Sequence, residues 1–302
     1  MRRCLALALV GLAACSADTF ATGDGGAGND AGGGKDAGGG KDAAAFDVKS
    51  VSGLVLWLKG DTGITSTANR VSVWADQSGN ANDAAEKARP ELQPTLVAAG
   101  INQLPSVHFA ATPLQAAGNH LVLAPSASLG WGTGDFLVEV VARYDNDPSS
   151  PAAEGADYGA LYVTIFGAPI SNAPAGLGLY ANVPPLTANL TSTGFLGFYA
   201  GTTDTAVASS GTGYNNNVAH CFAIQRVGAT LSVRLDGMAV GSQSIVGGGD
   251  LGATGAHLGG IENAAMQRLD GDIAEVIAVR GPIAPGALSS LEGYLVAKYN
   301  LP

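Results

Sequence analysis

The sequence predicts an all-β chain folded as an antiparallel β-sandwich and closed by one C-terminal helix. Three observations carry that expectation. Short apolar runs recur along the chain, each bounded by Gly, Pro, Asn or Thr, the punctuation of strands and turns. Between His220 and Ser244 apolar and polar residues alternate with period two. Leu288, Leu291, Leu295 and Tyr299 repeat instead at helical spacing. Many short strands with one terminal helix argue for two packed sheets.

The chain opens Met1-Arg2-Arg3, followed by an apolar run from Cys4 to Ala14. Positive charge before a short apolar run is the pattern of a secretory signal. The run is far short of the ~20 apolar residues of a membrane-spanning helix. It ends Leu12-Ala13-Ala14-Cys15, which resembles the lipobox of bacterial lipoproteins. That resemblance implies a signal peptide over 1–14, cleavage after Ala14, and diacylglycerol on Cys15. Gram-negative lipoproteins with Asp after the cysteine tend to stay in the inner membrane. Ser16 stands there in this chain, which implies the outer membrane. The competing reading is an ordinary signal cleaved nearby, with Cys15 incidental.

Residues 15–47 read as a linker. From 21 to 45 the chain is almost entirely Gly, Ala, Asp, Asn and Lys, and the unit Asp30-Ala-Gly-Gly-Gly-Lys35 repeats at once as Asp36 to Lys41. Such a segment has no apolar side chains to bury and cannot offset its own ordering entropy. Each unit also lacks the bulky apolar residue of calcium-binding Gly/Asp repeats, so a spacer is expected.

Residues 48–302 read as one domain. Leu54 to Leu58 is a continuous apolar run, as for a strand buried on both faces. Phe136, Val138, Val140 and Ala142 share one face of a longer strand, with Glu139 and Arg143 on the other. Leu161 to Phe166, Leu177 to Tyr180 and Phe195 to Tyr199 read as further strands. A strand ends at Arg226 and another starts at Thr230. Asp236-Gly237 then predicts a two-residue hairpin, because both positions tolerate positive φ. Gly271 to Val279 reads as a mostly buried strand. The helix follows, with Pro285 in its first turn and Asn300 closing it.

Several of these segments, in this order, resemble the laminin-G-like, concanavalin A-like jelly-roll domains of bacterial surface proteins. They are Gly53-Leu54-Val55-Leu56-Trp57-Leu58, Val73 to Ala84, Pro105-Ser106-Val107-His108-Phe109, the Asp236-Gly237 hairpin, Gly271 to Glu275, and Gly293 to Tyr299. Together they span most of residues 51 to 301. The resemblance implies a jelly-roll β-sandwich.

The formal net charge is −10, with few clustered Lys or Arg, which argues against nucleic acid as a partner. Of three cysteines, Cys4 leaves with the signal and Cys15 is the lipid site, so Cys221 is left without an intrachain disulfide partner. It lies in a strand, where a buried inert thiol is expected, and His220 points to the opposite face.

The loop from Asp76 to Asp83 gathers side-chain oxygens from Asp76, Asn80, Asn82 and Asp83, with Gln77 and Ser78 between. Calcium wants six to eight oxygens at ~2.4 Å, and some jelly-roll relatives use calcium to hold a sugar. The same residues are what a turn requires, since their side chains hydrogen-bond nearby backbone. Trp57 and Trp74 sit in apolar strand contexts and read as core, whereas Trp131, in Gly130-Trp131-Gly132, sits in a loop where an indole could stack on a sugar or anchor the loop.

Relatives of this fold that hydrolyse glycosides carry a strand motif acid-x-Asp-x-x-Glu, which Asp270-Gly271-Asp272-Ile273-Ala274-Glu275 matches loosely. Retaining hydrolysis needs two carboxyls ~5.5 Å apart on one face. Asp270 and Asp272 share a face, and Glu275 falls opposite unless a bulge intervenes. Gly247-x-Gly249-x-x-Gly252 lacks the strand-turn-helix setting of a dinucleotide site, no Gly-x-Ser-x-Gly elbow occurs, and the four histidines show no metal-ligand spacing. The expectation is a membrane-anchored, outer-membrane lipoprotein. Its sandwich would be a non-catalytic recognition module for carbohydrate or a surface protein. The alternatives are a glycoside hydrolase or polysaccharide lyase, and a structural envelope component without a discrete ligand.

Overall fold

Apolar strands that must bury two faces need two covers, and this chain supplies them as a second sheet and a helix. The computed structural model describes residues 46–110, 119–144, 163–164, 175–180, 195–200, 206–214, 216–245, 256–260 and 269–302. Cys15, the linker repeat and Gly247 to Gly252 lie outside the described residues.

The strands, in chain order, are β1 (Leu54–Lys59), β2 (Ile64–Thr67), β3 (Arg70–Trp74), β4 (Ala84–Ala85), β5 (Thr95–Ile101), β6 (Leu104–Phe109), β7 (Leu121–Leu123) and β8 (Phe136–Tyr144). They continue as β9 (Val163–Thr164), β10 (Ala175–Tyr180), β11 (Phe195–Ala200), β12 (Ala206–Ala208), β13 (Ala219–Val227), β14 (Thr230–Leu235), β15 (Met238–Ser244), β16 (Ala256–Leu258) and β17 (Gly271–Arg280). One helix, α1 (Pro285–Tyr299), follows. Among the described residues all pairings are antiparallel. One layer runs β15-β14-β13-β8-β17, with β1 and β6 sharing the far side of β17. The other runs β2-β3-β4-β7-β16-β9-β10-β11-β12. Strand β5 pairs with both β6 and the start of β3, joining the layers at one corner.

Between the layers, Leu56, Val138, Val140, Phe222, Ile224 and Val276 of the first meet Trp74, Leu121, Leu177, Leu196, Phe198 and Leu258 of the second. The opposite face of the first layer is also apolar. There Trp57, Leu137, Val141, Cys221, Ala223, Ile277 and Val279 pack under Leu291, Leu295 and Tyr299 of α1. Double coverage explains why β17 is buried along all but its last residue.

Local signals read from the sequence hold. Asp236 and Gly237 both adopt positive φ, and the hairpin joins Leu235 directly to Met238. Pro285 occupies the first turn of α1, and Asn300 caps its end in the left-handed region. Gly53 is required sterically: a Cβ there would lie 2.2 Å from the Arg280 carbonyl oxygen. Two residues differ from the linker boundary expected at 47. The Phe46 ring packs 6.0 Å from that of Tyr294, and the Asp47 side chain accepts from the Lys49 amide, so both residues make contacts with the domain. Of the strand expected over 161–166, only Val163–Thr164 falls within the described residues.

Candidate functional site

The Asp76 carboxylate accepts four hydrogen bonds. Its Oδ1 takes the amides of Trp57 at 2.9 Å and Ser78 at 2.8 Å. Its Oδ2 takes the Ser78 hydroxyl at 2.7 Å and the Asn82 amide at 3.0 Å. Four is the full lone-pair complement of a carboxylate. Asp83 Oδ1 accepts from the Asp76 amide. The amides of Asn80 and Asn82 turn inward and donate to the Leu54 and Val55 carbonyls. Gln77 completes the set by donating its amide to the Trp57 carbonyl at 2.7 Å. The loop therefore lies along the side of β1 that β17 leaves free, and takes up backbone groups that would otherwise be an open sheet edge. For Asp76, Asn80, Asn82 and Asp83 the geometry favours the turn over calcium, because both Asp76 oxygens and Asp83 Oδ1 already serve N–H and O–H donors.

The carboxylates of β17 are arranged unexpectedly. Its pairing with β8 shifts register between Ile273 and Glu275. The bulge places Ala274 and Glu275 successively on the outer face, the face that Asp272 also takes. Both acids are buried and engaged. Glu275, 1% exposed, accepts from Trp57 Nε1 at 2.6 Å, Tyr299 Oη at 2.7 Å, Lys298 Nζ at 2.7 Å and Tyr294 Oη at 3.0 Å. Asp272 pairs with Arg143 at 2.6 Å and accepts from Ser106 at 2.9 Å. Burial works against its charge, but His108, Ser106 and Arg143 outweigh burial and hold its carboxyl below the ordinary range. Asp270 stays half-buried at the head of the strand. These acids do not converge in an open groove. Glu275 lies beneath α1, where a polysaccharide has no access, so the hydrolase assignment of this motif fails.

Trp131 is likewise corrected. It is 1% exposed, and its ring lies 5.0 Å from that of Phe136 between the sheets. An indole so enclosed offers no face for stacking on a sugar. Trp74 is fully buried, donating to the Lys59 carbonyl. Cys221 is buried on the outer face, and burial, with Glu139 adding to it, pushes its thiol well above the usual range. Its neighbour His220 pairs instead with Asp236 at 2.6 Å.

An open depression of about 400 Å³ lies where β5, β8, β13 and the end of α1 meet. Asn102, Arg143, Asn217 and Asn300 supply its polar lining, with Ile101, Val218, Leu301 and Pro302 as apolar walls. Asn102, Asn217 and Asn300 are held in the left-handed region, a conformation Asn tolerates. Asn102 Nδ2 donates to the Tyr299 carbonyl and so ties the β5–β6 turn to the helix end. Arg143 is anchored by Asp272 yet keeps 31% of its side chain exposed. The volume falls in the range of small-molecule sites, and mixed amide and apolar lining suits a hydroxylated ligand. Sequence reasoning missed this site because its residues come from four separate segments.

It also missed the character of Glu139. This side chain points from β8 to the outer face, flanked across the sheet by Ala223 and Ile277. Both its carboxyl oxygens are buried without a hydrogen-bond partner. Burial pushes the carboxyl up to about 8; Glu292 adds to this, Arg234 opposes it, and Glu275 adds to it.

No family model and no curated protein matches the chain. Solved structures do. The binding domain of Paraclostridial Mosquitocidal Protein 1 is 12% identical with a TM-score of 0.52, the match covering 82% of this chain and 52% of that one. Trypanosoma rangeli sialidase in complex with sialic acid is 15% identical with a TM-score of 0.52, covering 82% of this chain and 33% of that one. This chain therefore spans about half and a third of their lengths. The likeness shows the fold, a concanavalin A-like antiparallel β-sandwich.

Proposed function

We propose that this chain is an exported lipoprotein whose sandwich is a non-catalytic carbohydrate-binding module. Diacylglycerol on Cys15 holds it to the outer membrane, and residues 16–45 space it from the surface. The observation that carries the binding reading is the contrast on one face of the first layer. The acids that hydrolysis would use are closed into ion pairs, while Asn102, Arg143 and Asn217 line an open depression. Several buried acyl chains, at ~0.8 kcal/mol per CH₂, would anchor such a module firmly. The similar fold of a toxin's binding domain supports the binding reading.

A glycan array and an envelope pull-down on the chain, with an Arg143→Ala comparison, test it. Binding that Arg143→Ala weakens supports the module. Release of reducing ends from any bound polysaccharide overturns it, and capture of a protein with no glycan binding transfers the site to a protein partner. Mass spectrometry of the N-terminal peptide tests the anchor, since an unmodified Cys15 removes it.

A further inference from the structure

We propose that α1 is a proton-held cover: it stays closed on the outer face while the Glu139 carboxyl carries its proton, and loosens when that proton leaves. The geometry is the basis. Glu139 is buried beneath α1 with neither oxygen hydrogen-bonded, and the outer-face residues that flank it on its own strand, Leu137 and Val141, are apolar. A neutral carboxylic acid can occupy such a place at modest cost, but an ionised one cannot without a partner. Charged and titratable groups face it from each packed element. They are Glu292 of α1, Arg234 of β14, Cys221 of β13 and Glu275 of β17. The one cation among them, Arg234, is already paired with Glu292 at 2.6 Å and donates to the Gly237 carbonyl. Glu275 brings its own partner in Lys298. Ionised Glu139 would therefore add an uncompensated negative charge between two carboxylates. Lifting α1 lets water reach it.

The consequence reaches the depression. Asn300, Leu301 and Pro302 follow α1 directly and form one wall, tied to Asn102. Loosening α1 takes that wall away, so proton release would weaken ligand binding. That second step rests on the recognition reading above, whereas the cover itself does not.

The sign and window follow from a raised acid. The closed state holds the proton up to about 8, while an exposed Glu releases it near 4.5. The closed state is thus favoured most in acid, and the opening equilibrium rises by up to about tenfold per pH unit between those limits, then levels off. Amide exchange of α1 in the full chain, corrected for intrinsic rates, measures this at about pH 5.5 and about pH 7.5 with no ligand present. Opening should rise at least about tenfold in the native chain and stay flat in Glu139→Gln. Flat opening in the native chain, or the same rise in the variant, overturns the proposal. If Glu139→Gln does not fold, the Glu139 carboxyl carbon is titrated by NMR in the native chain. A midpoint above about 7 supports the cover and one below about 5 overturns it. Loosening of α1 with glycan binding that ignores pH would uphold the cover and remove the depression as its target.

Discussion

Trp57 Nε1 donates a 2.6 Å hydrogen bond to Glu275 Oε1, joining β1 to β17 across 218 residues of sequence. The bond sits beneath α1, where Tyr294, Lys298 and Tyr299 converge on the same carboxylate. One acid therefore fastens the first strand, the last strand and the helix. The register shift just before Glu275 turns it outward to do so. An arrangement whose spacing resembles a catalytic motif is here a clasp.

Replacing Glu275 with Ala should cost about 2–4 kcal/mol, because it leaves the Trp57 indole N–H without its acceptor and takes from Lys298 the nearer of its two acidic partners, with Asp61 remaining at 3.3 Å. Urea unfolding of the variant measures this. A loss under about 1 kcal/mol would show that the clasp contributes little.

Asp76→Ala should destabilise by about 2–4 kcal/mol, since it removes the acceptor of four donors and uncovers the edge of β1. The native chain should show the same thermal midpoint in EDTA and in calcium. A midpoint raised by calcium would restore a cation to the loop.

Trp131→Ala should cost about 3–5 kcal/mol through the cavity it leaves between the sheets. Trp131→Phe, a smaller loss of volume, should leave any glycan affinity unchanged. Isothermal titration against the best array hit distinguishes packing from contact, because a stacking indole would lose affinity in both variants.

Asp272 should contribute to acid lability. Its folded carboxyl titrates below its unfolded value, so the stability it adds is present above pH ~3.8 and is lost as pH falls through the folded value. Stability of Asp272→Asn and of the native chain should converge in acid and separate toward neutrality. Parallel curves from pH ~2 to ~6 would show that Asp272 carries no such linkage.

Much of the fold was legible locally. The Asp236-Gly237 turn needs only two residues that accept positive φ, and the helix needs only Pro285, its leucine spacing and Asn300. The alternation of β8 likewise separated Val138 and Val140 from Glu139. What alternation could not reveal is that both faces are covered, one by β-strands and the other by α1. Trp131 shows the same limit, since a loop position says nothing of which strands close over it.

By itself, the sequence determined where the hairpin, the helix and the most apolar strands lie, among them β1, β8, β13, β14 and β17, because turns and periodicities depend on neighbours along the chain. It also set the expectation of an exported chain tethered at Cys15. Only the tertiary structure decided the fate of the polar side chains. It closed Asp76 into a turn, Glu275 into a clasp and Glu139 into an unpartnered niche, and it gathered Asn102, Arg143 and Asn300 around one depression. The physical reason is that burial and hydrogen-bond partners come from segments far apart in sequence, so one carboxylate can serve a ligand, a catalytic step or a strand edge depending on what packs over it.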